Sequence, residues 1–237
     1  MSFARPAAIH CAPWVLSEET MLEVIRWAGI IPLTESVIPG WSIEEHTPPE
    51  LWFGEETLGP WDWKIHCVQS GDIAYGKFVL GGKAAFATVD VFRELMNWRR
   101  SLPQYAPDAR QQQVLDYLKE NGSMGIKDVR GMFGMKKLAA DALMADLQRK
   151  TRIVIGDITR VYRGQDLHYN GWQSSIFCTP EALFEDDADF PFPGFVPRTL
   201  KSSLTPAESR DFVVEAILRT SPGASAKQMD KVLGHVT

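Results

Sequence analysis

Residues 106–177 read APDARQQQVLDYLKENGSMGIKDVRGMFGMKKLAADALMADLQRKTRIVIGDITRVYRGQDLHYNGWQSSIF, and this stretch decides the fold. A helix is predicted from about Asp108 to Asn121. Val114, Leu115 and Leu118 give its buried face, and Gly122 stops it. Ser123-Met124-Gly125 reads as a tight connection. Ile126, Val129 and Phe133 predict a short second helix closed by Gly134. Ala140, Leu143, Met144 and Leu147 then fall at i, i+3, i+4 and i+7, so Lys136 to Lys150 predicts a third helix. Ile153-Val154-Ile155 and Val161-Tyr162 predict a strand, Arg163-Gly164-Gln165-Asp166 a turn, and Leu167 to Phe177 the returning strand. Helix, short helix, third helix and hairpin is the order of a winged helix-turn-helix, a scaffold often used to hold nucleic acid.

Upstream, seven of the eight tryptophans lie before Leu102. Ser17 with Glu18 and Glu19 predicts a helix start; Met21, Leu22, Ile25 and Ala28 continue it, and Gly29 ends it. Ile65 to Gln69, Ile73 to Leu80 and Ala84 to Thr88 predict three short strands, with hairpin turns at Ser70-Gly71-Asp72 and Gly81-Gly82-Lys83. Val91, Phe92, Leu95, Met96 and Trp98 predict a helix ending in Arg99-Arg100. Downstream, Thr205-Pro206-Ala207-Glu208 is a helix N-cap, a first-turn proline and a capping-box acid. VLDYLKENGSMGIKDVRGMFG (114–134) is echoed by VVEAILRTSPGASAKQMDKVLG (213–234). The second copy therefore reads as a partial repeat without third helix or wing, expected to pack against the central unit or to form a homodimer.

The expected architecture is α+β, built from tandem winged helix-turn-helix-like modules with small antiparallel sheets. Its parts are a Trp-rich α+β module over residues 1–102, a winged-helix domain over 106–180, an acidic Pro/Phe-rich connector over 181–204, and the partial repeat over 205–237. A length of 237 residues with 45% hydrophobic content supports two or three small domains. No apolar run reaches the roughly 18–20 residues of a membrane span, and no secretory signal pattern is seen, so a cytoplasmic protein is expected. Cys11, Cys67 and Cys178 are odd in number and lack metal-ligand spacing, as do His10, His46, His66 and His168. No metal or cofactor is called for.

The net charge of −5 is unevenly spread. Residues 101–165 hold 11 Lys and Arg against 7 Asp and Glu, whereas both flanks are acidic. The expected nucleic-acid-binding residues are Lys136, Lys137, Gln148, Arg149, Lys150 and Arg152 around the third helix, with Arg160 and Arg163 on the wing. This reading requires the cations to share one outward face and Gln148, as an adenine reader, to point outward. Asp141, Asp146 and Asp157 would repel phosphate there. A second candidate site lies in the Trp-rich segment. Trp52, Trp61 and Trp63 are either core rings or a platform for an extruded base. Glu44, Glu45, His46 and Asp62 are the candidate acids and bases beside it. The predicted partner is DNA.

IPGWSIEEHTPPELWF (38–53), GPWDWK (59–64), AYGKF (74–78) and NWRR (97–100), followed by the winged-helix pattern, resemble a group of bacterial proteins related to the AlkZ-type DNA glycosylases. The resemblance covers most of the chain. It implies tandem winged helices around duplex DNA and a role in excising damaged bases. The glycosylases proper carry a catalytic Gln-x-Gln or Gln-x-Asp pair in their N-terminal part. Here Gln69-Ser70-Gly71-Asp72 has one residue too many, and Gln111-Gln112-Gln113 falls on the first helix of the central unit, so those roles do not carry over. The enzymatic alternative, a glycosylase-like hydrolase, would use the four candidate residues above; a protein-interaction scaffold is the third reading.

Overall fold

The computed structural model describes residues 14–52, 54, 58–185 and 198–234. His10, Cys11 and residues 186–197, half of the acidic connector, lie outside the described residues.

Local signals start the first layer. Ser17 Oγ accepts the Thr20 N–H at 3.3 Å and Thr20 Oγ1 accepts the Ser17 N–H at 2.8 Å, which fixes the start of α1 (Glu18–Ala28). Strands β1 (Ile30–Pro32), β2 (Ile73–Gly76) and β3 (Ala85–Thr88) form an antiparallel sheet in the order β1-β3-β2. Between them lies α2 (Pro60–Gln69), and α3 (Val89–Arg100) follows β3.

The stretch Ile65–Gln69 is thus helical and not a strand. Pro60 in the first turn and Asp62 near the helix N-terminus favour the start. Gly59 delivers the chain at φ 54°, where a Cβ would lie 1.8 Å from Leu51 O. Burial of Trp63, Ile65, Cys67 and Val68 then outweighs the weak strand preference of the β-branched residues. Ser70-Gly71-Asp72 consequently leads out of a helix rather than turning a hairpin. β2 also stops four residues before the expected Leu80, because the next amides are used elsewhere. Lys77 N–H donates to Gln148 Oε1 at 2.9 Å and Leu80 N–H to Val232 O at 2.8 Å.

The central unit follows its predicted order closely. Asp108 and Gln111 form a reciprocal capping box on α4 (Ala109–Asn121). Next come α5 (Ile126–Phe133), α6 (Lys137–Arg149), β5 (Val154–Arg163) and β6 (His168–Cys178). The tight connection Ser123–Gly125 is a short strand, β4, paired with the end of β6. Together they make a second antiparallel sheet in the order β4-β6-β5. The described residues form a mixed α/β structure with two small antiparallel three-stranded sheets. No helix among the described residues is long and apolar enough to cross a membrane.

After α7 (Pro180–Phe184) come α8 (Pro206–Thr220) and α9 (Ala226–Leu233); α8 packs on α1 and α3 of the first layer rather than on the central unit. A buried polar cluster explains the choice. Glu94 accepts from Ser202 Oγ and Ser209 Oγ at 2.5 Å each, and Asn97 Nδ2 donates to Leu204 O at 2.9 Å and Ser209 Oγ at 2.8 Å. One apolar core runs through both sheets and the C-terminal pair.

Arg99, fully buried on α3, ties these parts together. Its guanidinium donates to Phe78 O, to Arg149 O at 2.8 Å and to Leu233 O at 3.1 Å. The last two are carbonyls at the C-terminal ends of α6 and α9, where the helix dipole is negative. Burial pulls the guanidinium down to about 10, still charged at neutral pH. Replacing it leaves buried acceptors without a donor. Arg99→Met should lower the unfolding free energy by about 3–5 kcal/mol, read from urea denaturation; a loss under about 1 kcal/mol would show that the clamp is dispensable.

Candidate nucleic-acid interface

A cleft of about 420 Å³ opens between the first layer and the central unit. α2 contributes Trp61 and Lys64, β2 and the loop after it Tyr75, Lys77 and Lys83, α6 Asp141, Met144 and Gln148, and the hairpin Gln173 and Phe177. The close approach of α6 depends on Gly76, since a Cβ there would lie 2.8 Å from Gln148 Oε1. Gln148 is 3% exposed and donates through Nε2 to Met144 O at 3.0 Å while its Oε1 accepts the Lys77 N–H. It splices the loop after β2 onto α6 and does not face outward to read a base.

The hairpin is docked along α2. Arg160 grips Asp62 with Nε–Oδ1 at 3.0 Å and Nη2–Oδ2 at 2.6 Å, and Tyr169 Oη donates to the same carboxylate at 3.2 Å. Trp61 Nε1 donates to Gly171 O at 3.0 Å, and Gln173 Nε2 donates to Trp61 O at 3.1 Å. Gln69 Nε2 adds a bond to Asp157 Oδ1 at 3.0 Å. Hydrogen bonding to Asp62 raises the pKa of Arg160. The carboxylate is therefore spent on holding the hairpin, and the cation on the hairpin is neutralised.

Lys64 is the least expected member of the cleft. It is 4% exposed, its Nζ donates to Trp61 O at 2.5 Å, and the Trp61 ring centroid lies 3.4 Å from the same nitrogen. Burial pulls its ammonium down to about 7, against the opposing pull of Asp62. The ring contact and the carbonyl act in the opposite direction, favouring the charged form. Cys67 and Cys178, by contrast, are pushed up to about 12 by burial and stay protonated thiols near neutral pH.

The other candidates are distributed. Glu44 Oε2 accepts the Glu35 N–H at 2.9 Å; Glu45 accepts from Gly40 N–H and Ser42 Oγ at 2.7 Å each; His46 Nε2 lies 3.1 Å from Gly40 O. These three shape the 35–46 loop, and none of them lines the cleft. Trp63 is buried and Trp52 half-buried against the core, so Trp61, 36% exposed, is the stacking candidate at the cleft.

The cations do not gather on one face. Lys136 and Lys137 are exposed at the start of α6, beside Leu138 at 82% exposure. Arg149 stands about 18 Å further along the helix axis and pairs with Asp146. Lys150 is buried, with Nζ on Gln111 Oε1 at 2.7 Å and on Asp146 at 3.2 Å. Arg152 borders a separate depression with Arg100 and Glu181; burial and then Arg100 lower its pKa. Arg163 is exposed on the hairpin, 5.2 Å from the Trp172 ring. No cluster of three or more His, Cys, Asp or Glu that would hold a metal occurs among the described residues.

Lys64, Lys77, Lys83 and Tyr75 also line the cleft, although no motif in the sequence marks them as site residues. The signal for Lys64 was its spacing: on a helix it stands at i+3 from Trp61, on the same face. Assigning the following residues to a strand hid that relation.

A family model described as AlkZ related matches residues 15–234. The chain belongs to the AlkZ-related family. No curated protein and no solved structure matches it.

The Lys64 shift makes stability pH-dependent with a definite sign. The folded-state value of about 7 lies below the ordinary 10.5. The cost of burying the charge is thus fully present below about pH 7 and fades as pH rises toward 10.5. Lys64→Met should raise the urea midpoint at about pH 6 and raise it far less at about pH 9. An equal effect at both would mean that the amine does not titrate in this window.

Proposed function

We propose that this protein binds DNA through the face formed by the start of α6 and the cleft beside it, and that residues 109–178 act as a winged helix. The helix and strand order α4-β4-α5-α6-β5-β6, with sheet order β4-β6-β5, supports that reading. α6 then occupies the place of the groove-reading helix and the β5–β6 hairpin that of the wing. The pair α8–α9 repeats the α4–α5 arrangement, in keeping with a tandem design.

The observation that carries the proposal is where charge and exposure coincide. The first half of α6 is exposed, and Lys137 lies one turn before Asp141 on the face that borders the cleft. Lys77 and Lys83 line the cleft from the other layer. These three lysines from two elements can then follow a phosphate backbone, with Lys136 beside them, while Arg160 stays committed to Asp62. On the wing, Arg163 with exposed Tyr162 and Trp172 offers a cation and aromatic faces to sugars or unpaired bases.

The glycosylase-like reading draws support from the cleft itself. Its volume lies within the roughly 300–1,000 Å³ of small-ligand sites, and Trp61 and Tyr75 supply aromatic surface. An extruded base fits that description. In this reading the carboxylate available to activate water is Asp141, since Glu44, Glu45 and His46 serve the neighbouring loop and Asp62 holds Arg160.

Duplex DNA binding should weaken steeply with salt. Alanine at Lys83, Lys136 and Lys137 together should cut affinity at least tenfold and reduce the salt slope by about 2–3, while Arg152→Ala should change neither. Fluorescence anisotropy over a salt series reads this. No binding at low salt, or an unchanged slope in the triple variant, would refute the proposal.

A further inference from the structure

We propose that Lys64 is an amine nucleophile that captures the sugar aldehyde of an abasic site in DNA as an imine within the cleft. This rests on the nucleic-acid reading of the same cleft and adds a reaction and a substrate class to it.

The first argument is placement. A surface lysine keeps its ammonium in water while its stem lies along apolar surface, and the other buried lysine, Lys150, is paired with Asp146. Lys64 is instead 4% exposed, lines the cleft, and ends against the Trp61 ring and the Trp61 carbonyl. Among the described residues it forms no salt bridge; the carboxylate two positions earlier, Asp62, is taken by Arg160. The second argument is protonation. Burial pulls the group down to about 7, so a substantial share is neutral near neutral pH. An ordinary lysine at 10.5 is neutral there to less than about one part in a thousand. Desolvation in an apolar pocket is a recognised route to Schiff-base lysines. The neutral amine still has an N–H for Trp61 O and keeps its lone pair free for a carbonyl carbon.

The third argument concerns the substrate. The cleft adjoins the proposed DNA face, and a nucleotide must leave the stack to enter it. That cost is least where the base is already missing. The missing base leaves room beside Trp61, and the exposed C1′ aldehyde is the electrophile a neutral amine attacks. The step balances without a co-reactant. The Nζ lone pair forms the C1′–N bond, an amine proton moves to the aldehyde oxygen to give a carbinolamine, and loss of water gives the imine. Added water reverses it and regenerates Lys64.

The test uses the full chain and a duplex with one abasic site, reduced with borohydride, followed by denaturing gels and peptide mapping. A second duplex with a tetrahydrofuran residue at the same position, which has no aldehyde, reports binding alone by anisotropy. A covalent complex mapped to Lys64, reduced at least tenfold in Lys64→Met and in Lys64→Arg, and increasing as pH rises through about 7, is the expected result. Mapping on the unaltered chain keeps the test valid if a variant misfolds. If the tetrahydrofuran duplex binds but no Lys64 adduct forms, the imine proposal is overturned and DNA binding stands. Adducts on Lys77, Lys83, Lys136 or Lys137 in place of Lys64 also overturn it. If neither duplex binds and nothing is trapped, both readings fall.

Discussion

A single buried guanidinium sets the geometry on which the rest depends. Arg99 reaches three backbone carbonyls, on the loop after β2, at the end of α6 and at the end of α9. A buried cation without a carboxylate beside it is costly unless dipoles replace water. Here two helix C-termini supply them. The charge therefore fixes where α6 and α9 end relative to the first sheet, and with that the width of the cleft. A lysine there would be a poor substitute, because its point charge lacks the planar fork that spans separate acceptors.

The cleft that results is held from both sides by polar bonds distant in sequence. Gln148 stitches α6 to the loop after β2, and the Asp62–Arg160 pair with Tyr169 stitches the hairpin to α2. These contacts consume groups that would otherwise look functional. Asp62, Arg160 and Gln148 shape the walls, while Trp61, Lys64, Asp141 and the lysines of the β2–β3 loop are among the groups that line the space between.

What the sequence disclosed follows from the range of each signal. Caps at Ser17, Asp108 and Thr205 are satisfied within three residues, so they are readable locally and mark true helix starts. The third helix was legible from its apolar period, and the long hairpin from β-branched runs on either side of a Gly-containing turn. The strand β4 was not, because three residues acquire that state only by pairing with the distant end of β6. α2 was missed because Ile65 and Val68 favour strands when judged alone, and packing decided otherwise. At the site, charge runs showed which residues were cationic but not their partners. Arg160 meets Asp62 from 98 positions away, and Lys150 turns inward to Gln111 from 39. Lys64 became visible only once its helix placed it against Trp61.

The most direct test of the central claim, that DNA lies over the cleft held open by Arg99, is photo-crosslinking with mass-spectrometric mapping. Duplex DNA carrying a photoreactive base should crosslink to peptides from α2, the loop between β2 and β3 and the start of α6, centred on Trp61, Lys83 and Lys137. Crosslinks confined to the α4–α7 side near Arg152, or spread evenly over the surface, would contradict the account.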